Sequence, residues 1–411
     1  MQEVEQLGAE IEHAWRDVQY RAEAFPRIAQ AALAKRTLPA SMSTERIFRW
    51  FLSSPQIPHQ PPDAAFGEPP IQLYAGRRFY IEALFWTDGT TAIHQHSFSG
   101  AFQVLLGGSI HTPYTFEPGE AITRELVLGK LSVGRSELLR AGDIRQIVSG
   151  DRFIHSLFHL ERPSVTLVVR TKRDAGTDPQ YSYLHPGIAF DPFILDDRAS
   201  RLSRLLDVLD PESPDTARLL ADVATTADLG SVVAMLMHWF RARPIDPSLS
   251  EALLAIVARR HGALATSLRS AFQESRRQAL VVNRRRNNRQ AAHRFFLALL
   301  LNVGNRAQIL EFIEQQYPGT DPIDRIITWV EELTAAPAAD PGGGNGPGPV
   351  EYDLGEAEVK VLHHLLRQRT PEQIVAILSE EYDDVEGQRA QILDVCASLV
   401  DSALFRPLFR I

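Results

Sequence analysis

His94 and His96 stand two residues apart in an alternating apolar run, AIHQHS over residues 92–97. Side chains at i and i+2 of a strand point to one face, so both imidazoles can reach a common metal ion. A neutral imidazole is a lone-pair donor at neutral pH, and a strand holds it rigidly. Some sixty residues on, FIHSLFHL over residues 153–160 offers His155 and His159 from what would be a neighbouring strand. Spacing favours His155 as the third ligand. His159, four residues along and on the same strand face, is the alternative. Rings of this polarity buried in so apolar a strand without a partner would be costly, which favours a metal over unrelated polar residues. Three histidines leave the remaining coordination positions open to substrate and oxygen.

A later strand pattern alternates Thr166, Val168 and Arg170. If Arg170 shares the face of the other two, its guanidinium points inward and can take a carboxylate through two parallel N–H bonds. Otherwise it is a strand-end arginine in solvent. His238 and the pair His363 and His364 have no partner at ligand spacing and read as ordinary surface or core residues. His185 falls in a segment that could cover the site.

Ligands of this kind need a β framework. From residue 71 to 171 the hydrophobic period is that of strands, short, rich in β-branched and aromatic residues and punctuated by Gly, Pro and Asp, which predicts an antiparallel sandwich or barrel. Residues 177–192 show no clear period and are expected to wrap the barrel or cover its mouth. Ahead of it, Ile11, Trp15, Val18, Ala22 and Phe25 recur at three- and four-residue spacing, so residues 1–60 read as a helical lobe. The barrel itself is placed at 71–192. A helical domain is expected over 199–335, a Gly/Pro-rich linker over 336–349 and a compact helical unit over 350–411. The expected fold class is α+β, with a large all-α C-terminal region.

The composition sets outer bounds. A chain of 411 residues with 44% hydrophobic residues can bury a sizeable core, and a formal net charge of −8 argues against duplex DNA as the main partner. The arginine-rich run at 276–294 contains no acidic residue and reads as a solvated helix face pairing with acidic neighbours rather than a nucleic-acid platform. Cys396 is the one cysteine, which excludes an intrachain disulfide. The acidic N-terminus lacks the character of a signal peptide, and no run reaches ~18 apolar residues, so a soluble cytoplasmic protein without a membrane segment is expected.

At the histidines the chain resembles the cupin superfamily, whose first motif is Gly, five residues, His-x-His, three or four residues, Glu, six residues, Gly. Here Gly89 leads with four residues, His94 and His96 follow, and Gly107 or Gly108 closes the motif. The glutamate position falls on Gly100 or Ala101. The second motif looks like His155, with His159 at the asparagine place. Three histidines without the glutamate resemble the thiol dioxygenase branch, the cysteine dioxygenase-like cupins, over roughly residues 71–192. That resemblance implies a cupin barrel holding Fe(II) through His94, His96 and His155, with O2 as co-substrate. Ala101 stands where enzymes of the mammalian type carry a crosslinking cysteine, and Thr166, Val168 and Arg170 replace the branch's Ser, His, Tyr relay. Arg77 and Arg78 lie near where such enzymes hold a substrate-binding arginine, with a surface role as the competing reading.

The expected function is therefore a mononuclear iron(II) oxygenase acting on a thiol, or on a related small or carrier- or protein-bound substrate, with Arg170, Arg78 and His159 as candidate catalytic residues. The helical region is expected to support oligomerisation or a protein partner. Two other classes compete: a non-catalytic ligand sensor or partner-binding protein, and a metalloenzyme using another divalent ion for isomerisation, decarboxylation or hydrolysis.

Overall fold

Alternation in sequence becomes two differently faced sheets in the computed structural model, which describes residues 1–61, 66–87, 92–177, 179–193, 201–202, 205–242, 247–335, 354–381 and 385–410. Gly89, the expected linker at 336–349 and the first residues of the segments expected at 199 and 350 lie outside the described residues. The chain divides into two compact units. One comprises residues 1–211, 222–234 and 255–271, and the other residues 212–221, 235–254 and 272–411.

The first unit opens with four helices, α1 (Gln2–Asp17), α2 (Phe25–Ala34), α3 (Leu38–Ser41) and α4 (Thr44–Ser53). Val4, Leu7, Ile11 and Trp15 recur at three- and four-residue spacing along α1 and are buried as one stripe. The Ser43 hydroxyl accepts from the Arg46 amide at 3.1 Å and so caps the start of α4.

Five strands form the sheet beneath these helices: β1 (Pro70–Ala75), β2 (Phe79–Trp86), β4 (Gly100–Leu106), β8 (Ile144–Ile147) and β10 (Ser164–Thr171), in the order β1-β2-β10-β4-β8. The second sheet holds β3 (Ile93–His96), β5 (Gly108–Thr123), β6 (Leu126–Val133), β7 (Glu137–Arg140), β9 (Gly150–His159), β11 (Ser182–Leu184) and β12 (Ile188–Phe190). Its order is β6-β12-β11-β3-β9-β5-β7, and β5 also pairs with β6. The described pairings are antiparallel.

Strand period separates the two faces of the five-stranded sheet. Phe79, Ile81, Ala83, Val165, Leu167 and Val169 join Leu7, Ile11, Phe25 and Leu33 in a core under the helices. Leu84, Trp86, Val168, Phe102 and Val104 turn the other way and meet Leu157 of the second sheet. Arg170 pairs across from Tyr80, and Val168 from Glu82, so Arg170 belongs to this interior face.

One strand of the stretch carries no clear alternation and one segment differs from expectation. Pro113, Pro118 and Gly119 interrupt the period of β5, yet it runs from Gly108 to Thr123 with register shifts after Pro118 absorbing the break. Residues 177–192 do more than wrap the barrel: β11 pairs with β12 and with β3, and β12 pairs with β6, so the segment supplies part of the second sheet.

The second unit is helical, with Ala291–Asn302, Arg306–Gln316, Pro322–Ala335 and Glu356–Leu366 among its helices. The arginine-rich run is only in part the solvated face expected, with Arg276, Arg286 and Arg289 exposed. Arg277 and Arg285 are buried, Arg277 pairs with Glu274 and donates to the Leu300 carbonyl at 3.2 Å, and Arg284 donates to the Leu333 carbonyl at 2.8 Å. These guanidiniums satisfy carbonyls left over at helix ends. Among the described residues no helix is long and apolar enough to cross a membrane.

Candidate metal centre

β3 and β9 lie side by side with His94 directly opposite His155, and the register shifts between His94 and His96. Directly opposed residues of an antiparallel pair point to one face. The three imidazoles consequently converge, with one ligand nitrogen from each lying within 4.8 Å of the others. All three side chains are buried.

The hydrogen bonds around them determine which nitrogens remain available. His94 Nδ1 lies 2.7 Å from the Ala92 carbonyl and donates to it, which leaves Nε2 with its lone pair. His155 is oriented by a longer chain. Arg145 clamps the Glu137 carboxylate through Nε at 2.8 Å and Nη2 at 2.5 Å. Glu137 accepts from His111 Nδ1 at 2.7 Å, and His111 Nε2 lies 3.1 Å from His155 Nδ1. An ionised Glu137 fixes His111 as the Nδ1–H tautomer, His111 Nε2 then accepts from His155 Nδ1, and His155 Nε2 is left as a bare lone pair.

That lone pair faces His96 Nε2 at 2.9 Å, while His96 Nδ1 is buried without a hydrogen-bond partner. A proton on His96 Nε2 would satisfy the contact but leave Nδ1 a buried, unmet acceptor; a proton on Nδ1 leaves two lone pairs facing each other. A cation between the nitrogens takes up both facing lone pairs, with the His96 proton then on Nδ1. Two nitrogens each ~2.1 Å from a common ion stand about 3.0 Å apart at an octahedral edge and about 3.4 Å apart at a tetrahedral one. The observed 2.9 Å fits the octahedral edge.

Electrostatics keep the rings neutral. Burial pushes His94 down to about 4, with the Ala92 carbonyl opposing. His96 is held well below the ordinary histidine value by burial, then by His94 and Arg170. His155 is likewise depressed by burial and by the neighbouring His94, His96 and His111. The Arg145 guanidinium, followed by His111, holds Glu137 down at about 2, so the end of the chain remains an anion. Around the rings stand phenylalanines: Phe66 at 5.4 Å from His94, Phe98 at 4.5 Å from His96 and Phe153 at 4.4 Å from His155, between ring centroids. Such a wall excludes bulk water.

No carboxylate can enter at the place where the cupin motif has its glutamate. A Cβ built on Gly100 would lie 1.9 Å from the Val169 carbonyl oxygen, and Ala101 is buried in the core beneath the helices. The same placement corrects the reading of Ala101: a cysteine there would face the helical lobe, away from the histidines.

The other candidates are placed as follows. His159 is buried, stacks on Trp86 at 4.5 Å with 13° between planes, and its Nδ1 lies 3.0 Å from the Ser109 hydroxyl; it does not join the cluster. Arg170 is on the interior face, 3.4 Å above the Phe98 ring and 3.5 Å from Glu82 Oε1. Arg77 and Arg78 are exposed, and Arg78 covers the Tyr20 ring at 4.3 Å. His185 packs against Tyr114 at 5.8 Å. The sequence analysis missed His111, Glu137 and Arg145. His111 sits on the strand obscured by prolines, directly opposite Glu137 of β7, and only the alternation Ser109, His111 could have hinted at it.

No family model matches the sequence, and no curated protein does so. Among solved structures, the chain is similar to a protein with a double-stranded β-helix domain from Klebsiella pneumoniae at 16% identity, over 28% of this chain and 85% of that one, with a TM-score of 0.19. A cupin-2 domain protein from Shewanella frigidimarina is 12% identical over 33% of this chain and 99% of its own, with a TM-score of 0.19. Oxalate decarboxylase from Lactobacillus farciminis, in a formate complex, is 15% identical over 29% and 34%, with a TM-score of 0.20. At such TM-scores these likenesses carry no argument. The α+β architecture stands on the two antiparallel sheets, the helical lobe and the helical C-terminal region described above.

Proposed function

We propose that the barrel is a cupin-type mononuclear non-heme iron(II) oxygenase of the thiol dioxygenase kind, with His94, His96 and His155 holding the metal and a thiol or related substrate as the group oxidised. The observation that carries this reading is the facing pair of Nε2 atoms 2.9 Å apart with His94 beside them, all in neutral rings. Two imidazole nitrogens 2.9 Å apart are compatible with adjacent positions on a six-coordinate iron(II), manganese or nickel ion, and the His94 nitrogen lies within 4.8 Å of both. When bound, iron(II) would supply open adjacent positions for a sulfur donor and O2.

The chain's own residues prepare that chemistry. Ala92 and His111 orient two of the ligand rings by accepting their Nδ1–H protons, and Glu137 with Arg145 fixes the tautomer of His111. Phe66, Phe98 and Phe153 keep water from the rings. Among the described residues no carboxylate joins the three histidines, so the protein ligands found are neutral.

The test is metal analysis of protein purified without added metal, with oxygen consumption measured on iron(II) addition in the presence of a thiol such as 3-mercaptopropionate. Iron bound by the wild type and lost in His96→Ala, together with iron-dependent oxygen uptake, is the expected result. A metal-free wild type, or equal metal content in the variant, refutes the metal centre. Bound metal without oxygen uptake for any thiol refutes the oxygenase.

A further inference from the structure

In the helical unit, the helix Ala263–Asn287 and the last residues of the chain bring three guanidiniums to one carboxylate. Glu274 and Arg277 lie three residues apart on that helix and so face each other. Arg277 is buried and takes up most of what Glu274 offers: its Nε lies 3.0 Å from both carboxylate oxygens and its Nη2 2.8 Å from Oε1. Its Nη1 and Nη2 also donate to the Leu300 and Leu301 carbonyls, at 3.2 and 3.3 Å. This pair is complete by itself, which is the condition for burying an arginine.

Two further arginines come from the C-terminal segment. Arg406 opens the short helical turn Arg406–Leu408, and Arg410 follows it by four residues. Arg406 Nη2 stands 3.4 Å from Glu274 Oε2, beyond the ~2.7–2.9 Å of a charge-assisted hydrogen bond, and its Nε is buried without a hydrogen-bond partner. The Arg410 carbonyl accepts from the Arg306 amide at 2.9 Å, which pins its main chain. Its exposed side chain makes no hydrogen bond or ion pair among the described residues. The charged groups acting on it are Arg406, Glu274 and Arg277: its pKa is lowered by desolvation and by Arg406, with Glu274 opposing and Arg277 adding to the fall.

Three cations against one anion leave a local surplus of two positive charges on a chain whose formal net charge is −8. We propose that Arg406 and Arg410, backed by the buried Arg277–Glu274 pair, form a binding site for a phosphate dianion, free or as the head of a small monoester. A carboxylate would cancel one charge and occupy one guanidinium fork. Two guanidiniums with donors to spare and a surplus of two charges match a dianion carrying several terminal oxygens. The site is open to a ligand, with the Arg406 side chain 40% exposed, and its base is dry enough at Arg277 for charge to count. Glu274 repels an anion that comes within reach of Arg277, so the ligand stays on the outer two arginines. None of this draws on the histidine cluster.

Calorimetric titration of the full-length protein with phenyl phosphate, inorganic phosphate and phenyl sulfate, at about pH 8 where the phosphate is a dianion, tests the site. Both phosphates should bind, and whichever binds more tightly identifies the source as the free ion or an ester. Phenyl sulfate, a monoanion of the same shape, should bind at least fivefold more weakly than phenyl phosphate. Arg410→Gln should weaken phenyl phosphate at least tenfold with the circular dichroism spectrum retained, because that side chain bonds to nothing in the fold. Arg406→Gln should weaken it as well, and Arg289→Gln, at an exposed arginine of the same run, should leave it unchanged. Since phosphate can also ligate a metal ion, His96→Ala is titrated alongside and should bind phenyl phosphate like the wild type; loss of binding there assigns the anion to the histidines and overturns the proposal. Absence of phosphate binding, equal affinity for the phosphate and sulfate esters, or unaltered affinity in Arg410→Gln overturns it too. Should Arg406→Gln fail to fold, Arg410→Gln decides alone.

Discussion

β9 carries two buried histidines four residues apart on one face, and their surroundings differ in kind. His155 meets other nitrogens: His96 Nε2 at 2.9 Å and His111 Nε2 at 3.1 Å. His159 meets a flat indole and a hydroxyl, stacked on Trp86 with Ser109 at 3.0 Å. Strand position gave both the same direction and the same burial. What separates them is the strands beside them: His94 of β3 stands directly opposite His155, whereas Ser109 of β5 stands opposite His159. A ligand position is made by convergence from several strands, and a single strand pattern cannot supply it.

The largest effect expected to sharpen this contrast is His155→Ala. Metal content should fall to background, measured by elemental analysis, whereas His159→Ala should keep full stoichiometry. Equal metal loss in both would collapse the distinction.

Acid should act on the converging cluster next. The rings of His94, His96 and His155 have folded pKa values below the unfolded value of about 6.5, so the unfolded chain binds more protons between those limits. Their stabilising contribution is fully present above about pH 6.5 and is lost as pH falls. For His94, with a folded value of about 4, that loss is on the order of 3 kcal/mol. Urea unfolding of metal-free protein at pH 7 and pH 4.5 should show it, and His155→Phe should flatten the profile; an unchanged profile in that variant would mean that the cluster does not set the acid sensitivity.

A smaller change is expected one bond removed from the ligand. His111→Phe or Glu137→Gln should weaken metal binding by about 10–100-fold through loss of His155 orientation, read as a Kd by chelator competition. The far-UV spectrum should be retained. Unaltered affinity in both variants would show that the Arg145, Glu137, His111 chain is structural only.

The smallest effects belong to His159. His159→Ala should cost about 1–3 kcal/mol by removing a buried ring from Trp86. His159→Phe, which preserves the stack, should cost under about 1.5 kcal/mol by thermal unfolding.

Much of this contrast was legible in the residues. The i, i+2 spacing of His94 and His96 placed both on one strand, and the apolar run around His155 marked a second buried strand. The helical lobe announced itself through Ile11 and Trp15 at four-residue spacing, because helix period and burial coincide there. β5 was hidden by Pro113 and Pro118, which suppress the alternation that identifies a strand, and the histidine it carries was hidden with it. The hairpin formed by β11 and β12 was equally opaque, since three-residue strands are too short to show a period.

By itself the sequence determined which side chains could be metal ligands and that strands would carry them, because local alternation fixes the face of each residue. Tertiary structure alone decided that His155 and not His159 meets the pair, that His111 stands behind His155 with Glu137, and that Arg170 turns inward against Glu82. Those outcomes depend on which strands become neighbours and in what register, and register is set by turns, bulges and packing spread over the whole barrel.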